Sequence, residues 1–254
     1  MLEDVSIIKA LKDSNILNIH ADLTNLVWLS DEEQQAVIPK LVEQVSIARE
    51  NGITSDVLHA PSGWMWGPET EDETERQKMI NRFVRLSGFV KTAGIPYIVV
   101  HVNGSGFPAG GDKESGIKRV RRSLAELRDK CEVKLLVENM PREELGNSSA
   151  EMLRILDGLD MDSVCDVNHV FKEPIYSYMT ALGERIKALH ISDNDGINEA
   201  HRMPGKGVIN WQEVIKALKD INYTGTLNFE THVKTVEDIK ETRIVANAIF
   251  KELL

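Results

Sequence analysis

Apolar residues in this chain fall into short unbroken runs, separated by longer stretches in which they recur every three or four positions. The runs cover roughly residues 15–20, 56–60, 96–102, 134–139, 162–168, 186–192 and 225–231. A continuous run of that length reads as a parallel strand buried on both faces. The stretches near 31–51, 71–93, 113–131, 148–158, 171–183, 210–220 and 235–253 carry the helical period. Ser30 ahead of Asp31, Glu32 and Glu33, and Asn147 with Ser148 ahead of Glu151, mark helix starts, because short polar side chains and early acids satisfy the first backbone amides. Strand and helix alternate without interruption, which predicts an α/β fold of the TIM-type β/α barrel kind, all strands parallel. Residues 4–13 also read as a helix, with Val5, Ile8 and Leu11 on one face. An eight-stranded barrel needs one further strand ahead of it. Seven strands are clear, so the first strand is expected to be missing or degenerate and the barrel open or seven-stranded; the alternative makes residues 2–8 a poor edge strand.

Six of the runs end in residues that bind metals: DVLHAP at His59, YIVVHV at His101, KLLVEN at Glu138, VCDVNH at Asp166 and His169, ALHISD at His190, and LNFETH at Glu230. In a β/α barrel the carboxyl ends of all strands point to one face, so residues distant in sequence meet there. One such residue alone would be an ordinary cap or turn former; six in register predict a metal-bearing site. Carboxylates mixed with imidazoles, and no thiolate, suit a hard or borderline divalent ion such as Mn, Mg, Co or Zn.

Length and composition narrow this further. The 254 residues contain no linker and no low-complexity segment, as expected of a single domain spanning 1–254. A net charge of -10 repels phosphate backbones at long range, which makes nucleic acid a disfavoured partner. Two cysteines, Cys131 and Cys165, read as free thiols of a reducing compartment. With no signal pattern in MLEDVSIIKALKDSN and no membrane-length apolar run, a cytoplasmic location and no membrane partner are expected. An exposed barrel edge would favour self-association into a homo-oligomer.

From Asn15 onward the chain resembles the xylose isomerase-like TIM-barrel superfamily, which holds sugar phosphate isomerases and epimerases and, in another branch, endonuclease IV. The resemblance rests on VEN at 137–139, CDVNH at 165–169, ALHISD at 188–193, HRMPGKG at 201–207 and FE at 229–230. In the ketose epimerase-like branch one metal is held from four successive strand ends, which here implies Glu138, Asp166, His190 and Glu230. The resemblance implies that Glu138 and Glu230 are also the catalytic pair, removing a proton from one face of a keto sugar and returning one to the other, and that His169 contacts substrate. The chemistry agrees, since an ion chelated by a carbonyl and its neighbouring hydroxyl stabilises the enediolate left by that proton. The endonuclease IV-like branch uses three zinc ions, and this chain offers His59, His101, Glu138, Asp166, His169, His190, Glu199, His201 and Glu230 as ligands. Two or three Zn and a phosphodiesterase activity would follow. Glu199 stands where that branch carries Asp, its DNA-intercalating loops are not recognisable, and MPG is the isomerase-like form. A related dehydratase acting on a keto-cyclitol is a third expectation.

Each remaining candidate also has a plainer reading. His59 and His101 are expected at the substrate or as capping histidines, and His20 and His232 are taken as structural. His201 precedes a Gly-rich turn that would hang over the site, so substrate or metal contact is expected of it. Trp64 and Trp66 in PSGWMWGPE suit a sugar-stacking lid or a packed loop, and Trp66 is taken as a substrate contact. Lys206 in PGKG would neutralise a substrate phosphate or stand in solvent.

Overall fold

The computed structural model describes residues 5–104, 111–251 and 253. In chain order its elements are α1 (Val5–Asp13), β1 (Ala21–Asp22), α2 (Asp31–Glu50), β2 (Val57–His59), α3 (Glu73–Thr92), β3 (Tyr97–His101), α4 (Lys113–Lys130), β4 (Lys134–Glu138), α5 (Ser149–Leu156), β5 (Asp162–Asp166), α6 (Ile175–Leu182), β6 (Ile186–Ile191), α7 (Trp211–Asp220), β7 (Leu227–Phe229) and α8 (Val236–Phe250). The strands form one parallel sheet in the order β1 to β7, curled into a half-barrel. Among the described residues no ladder joins β7 to β1, so the curl has two edges and a seam. This is the open, seven-stranded arrangement. The alternative edge strand at 2–8 is not adopted over residues 5–8, which lie in α1; residues 2–4 lie outside the described residues.

The helix starts are built as the sequence predicts. Ser30 and Glu33 exchange side-chain and backbone hydrogen bonds in a capping box, and the Ser148 hydroxyl accepts from the Glu151 amide. The first strand is displaced. Instead of 15–20, the ladder to β2 comprises Ala21–Asp22, preceded by an isolated bridge between Asn18 and Thr54. The apolar residues of that run, Ile16 and Ile19, pack with Ile8, Leu11, Ile53 and Ile239 around α1. Their hydrophobicity marks packing beneath a helix and not the position of the ladder.

Strand side chains alternate between two layers. One set joins the core between sheet and helices, with Leu58, Ile98, Val100, Leu135, Val137 and Leu189 among its members. The other set, Val57, Val99, Leu136, Val164 and Ala188, forms a small separate plug inside the curl. Two residues further along each of those strands stand His59, His101, Glu138, Asp166 and His190, so the period of two carries the chemistry onto the rim above the plug. Pairing is staggered: His101 lies opposite Glu138 and Asp166 opposite His190, whereas Glu138 lies opposite Val164 and His190 opposite Asn228. That stagger is the shear of a tilted barrel, and it brings residues of different register to one height.

Cys131 and Cys165 are both unpaired, and burial pushes the Cys131 thiol up to about 11. No helix among the described residues is long and apolar enough to cross a membrane.

Candidate functional site

Glu138, at the end of β4, occupies the centre of the rim and is 1% exposed. Its Oε1 is 2.9 Å from His190 Nδ1, and its Oε2 is 2.9 Å from His59 Nε2 and 3.2 Å from His101 Nε2. His190 Nδ1 lies 3.3 Å from Glu230 Oε2. His169, in the helical turn after β5, places Nε2 3.2 Å from Asp166 Oδ2 and 3.2 Å from Glu199 Oε2. One donor atom from each of Glu138, Asp166, His190 and Glu230 falls within 4.8 Å of the others, as does one from each of His59, Glu138 and His190. Backbone carbonyls fix the ring orientations. His59 Nδ1–H donates to the Ala60 carbonyl at 2.8 Å and His169 Nδ1–H to that of Asn139 at 2.8 Å, which aims both Nε2 atoms at carboxylates.

The electrostatics follow from three acids under one roof. Burial opposes the charge of Glu138, yet His190 and His101 beside it hold its carboxyl well below the usual range. Burial likewise opposes an imidazolium at His190, but the carboxylates of Glu138 and Glu230 prevail and raise it to about 10. Glu230 is pushed up to about 7, chiefly by burial against the pull of His190, with Asp166 and Glu138 adding repulsion. His169 is raised well above its ordinary value because Asp166 and Glu199 outweigh its burial. Asp166 Oδ2 and Glu230 Oε2 are enclosed without a hydrogen bond, although His169 Nε2 and His190 Nδ1 approach to 3.2 and 3.3 Å. Enclosed carboxylate oxygens that make no hydrogen bond and converge with an imidazole nitrogen fit a divalent cation.

The remaining candidates divide. His59 and His101 are brought to Glu138, with their Nε2 atoms 3.1 Å apart. His201 adopts φ +41°, a left-handed conformation uncommon outside glycine, and its Nδ1 lies 3.3 Å from the Glu230 carbonyl and 3.4 Å from Ser192 Oγ. The structure corrects two assignments. Trp66 is not a substrate contact: it is 3% exposed, meets Phe83 edge to face at 4.9 Å, and donates from Nε1 to Gln34 at 2.8 Å. Trp64 is the exposed member of that turn, at 58%. Lys206 does not reach a phosphate position at the rim, because its ammonium pairs with Glu241 on α8. His20, taken as structural, comes to the site instead, its ring centroid 4.8 Å from that of His190. The signal was present, since His20 stands two residues ahead of Asp22 and so shares its strand face.

Sequence reasoning also passed over Asp193. It is fully buried and accepts five hydrogen bonds: from the amides of Asn194 and Ile209 at Oδ1, and from those of Gly205 and Gly207 and Trp211 Nε1 at Oδ2. This one carboxylate shapes the loop that carries His201 and the PGKG turn. Asp193→Ala strands those donors and should cost about 3 kcal/mol or more, read as a lowered denaturation midpoint; an unchanged midpoint would contradict the role.

A curled parallel β/α sheet with a carboxylate and imidazole centre at its carboxyl-terminal strand ends defines the class. The chain belongs to the xylose isomerase-like TIM barrel family, whose model matches residues 18–249. It is 36% identical over 62 residues to fructoselysine 3-epimerase of Escherichia coli O157:H7, covering 24% of this chain and 22% of that one. It is 24% identical over 208 residues to a probable endonuclease 4 of Persephonella marina, covering 72% and 69%. Thus the chain spans under a quarter of the first of these relatives and about two thirds of the second. Among solved structures, a D-tagatose 3-epimerase-like protein superposes with a TM-score of 0.79 at 20% identity, over 98% of this chain and 96% of the other. The IOLI protein with a bound zinc atom gives 0.77 at 17% identity, over 98% and 94%.

Proposed function

We propose that this chain is a divalent-metal-dependent isomerase that epimerises a small keto sugar or sugar phosphate. The convergence of Glu138, Asp166, His190 and Glu230 within 4.8 Å carries the reading, and the epimerases among the relatives and structural neighbours support it. These four residues would hold one ion of Mn, Co, Mg or Zn. When bound, the ion would draw charge from the keto oxygen and its neighbouring hydroxyl and so acidify the adjacent C–H bond. Glu138 ends β4 and Glu230 directly follows β7, with a carboxylate oxygen of each within 4.8 Å of the other. The one in carboxylate form takes the proton from carbon while the C–H electrons move toward the carbonyl, leaving an enediolate. The other, carrying a proton, returns one to the opposite face, so the product differs only in configuration. In the metal-free protein the Glu230 carboxyl is raised to about 7 while that of Glu138 is lowered, so the two acids differ in how readily they take up a proton. His169, fixed by Asn139, orients substrate oxygens, and His59, His101 and His201 supply further donors around the rim.

Incubation of the metal-loaded protein with keto sugars in deuterated water tests the mechanism. Deuterium should appear at the epimerised carbon at the rate of epimer formation. Product without solvent deuterium would contradict proton exchange at Glu138 and Glu230.

One observation favours a second reading, a multinuclear zinc phosphodiesterase. His59 and His101 crowd the Glu138 Oε2 oxygen, and His169 bridges Asp166 to Glu199, so ligands flank the central four on both sides. Two or three Zn per chain would fit that arrangement, and cleavage of abasic-site DNA would be its activity.

A further inference from the structure

His20 is the one ring at the centre to which the proposed function gives no part. The preference for His190 Nδ1 as a ligand atom is geometric: it faces Glu138 Oε1 at 2.9 Å and Glu230 Oε2 at 3.3 Å. A histidine that gives its Nδ1 lone pair to an ion carries its proton on Nε2, and that N–H needs an acceptor. His190 Nε2 is enclosed and has no hydrogen-bond partner. The same is true of Nε2 of His20, whose ring is tilted by 51° against that of His190. Asn228, the register partner of His190 on β7, adds a third enclosed and unpartnered nitrogen, Nδ2. His190 and Asn228 are thus neighbours on β6 and β7, and His20 stands just ahead of β1 across the seam from β7.

We infer that His20 is a positioning residue for His190, joined to it by one water shared with Asn228. The water accepts from His190 Nε2–H and Asn228 Nδ2–H and donates to His20 Nε2, which gives it three partners. His20 is then neutral with its proton on Nδ1, and His190 is locked with Nδ1 toward the ion. Mere packing of the two rings would leave each enclosed nitrogen unsatisfied, at about 1–3 kcal/mol apiece. The inference rests on the metal-centre reading, and it adds a residue outside the ligand set that controls how tightly the ion is held.

The test is the dissociation constant for Zn²⁺, measured by competition with a chromophoric chelator, for the wild type, His20→Phe and His20→Gln. His20→Phe should bind the ion about 10–100-fold more weakly, with His20→Gln recovering most of the loss and melting like the wild type in the metal-free state. Equal affinity in the Phe variant would overturn the role of His20 alone; a wild type that binds no ion would overturn the metal-centre reading and this inference with it. Should His20→Phe not fold, long-range ¹H–¹⁵N spectra of the zinc-loaded wild type decide. A proton on His20 Nδ1 and a slowly exchanging one on His190 Nε2 support the bridge, and a proton on His20 Nε2 overturns it.

Discussion

Glu230→Gln should lower kcat about a thousandfold or more while leaving a folded protein. The amide is nearly isosteric, cannot accept or return a proton at neutral pH, and contributes a weaker ligand. Stability should not suffer, because Glu230 Oε2 is enclosed without a hydrogen bond and the carboxyl is crowded by Asp166 and Glu138. The thermal midpoint of the metal-free variant should therefore match or exceed that of the wild type. A variant that turns over at the wild-type rate would sink the assigned role, and one that does not fold would show that the side chain is structural.

The second large effect concerns pH. In the metal-free protein Glu230 titrates at about 7 and His190 at about 10, and both must lose their protons to bind an ion. Below pH 7 each ion displaces about two protons, so affinity should fall about 100-fold per unit of acidification. Between 7 and 10 only the His190 proton is displaced, and the slope should ease to about tenfold per unit. Glu138 does not contribute, since its neighbours keep it ionised throughout this range. Calorimetric titrations in buffers of differing protonation enthalpy count the released protons directly. A proton count near zero at pH 6 would place the ion elsewhere.

Much of this arrangement is legible in the chain because buried parallel strands write themselves as apolar runs and end where the rim begins. The period of two that buries Val99 and Leu136 also sets His101 and Glu138 side by side, so a pattern visible in sequence became a contact in space. Prediction failed where no period governs. Trp66 and Lys206 sit in loops, where side-chain direction depends on partners such as Gln34 and Glu241 that lie 32 and 35 residues away. The first strand was misplaced for a related reason. Ile16 and Ile19 owe their hydrophobicity to α1, while the ladder runs through Ala21 and Asp22, and His20 was hidden within the same run. Asp193 left no periodic trace either, because its five donors are mostly backbone amides that any residue supplies.

Metal content decides most directly whether the rim is a single-ion isomerase centre. Elemental analysis of the purified protein should find one Mn, Co, Mg or Zn per chain, retained in His201→Ala and lost in Asp166→Asn. Two or three zinc ions per chain, falling when His201 is replaced, would contradict the account and make this a hydrolase centre.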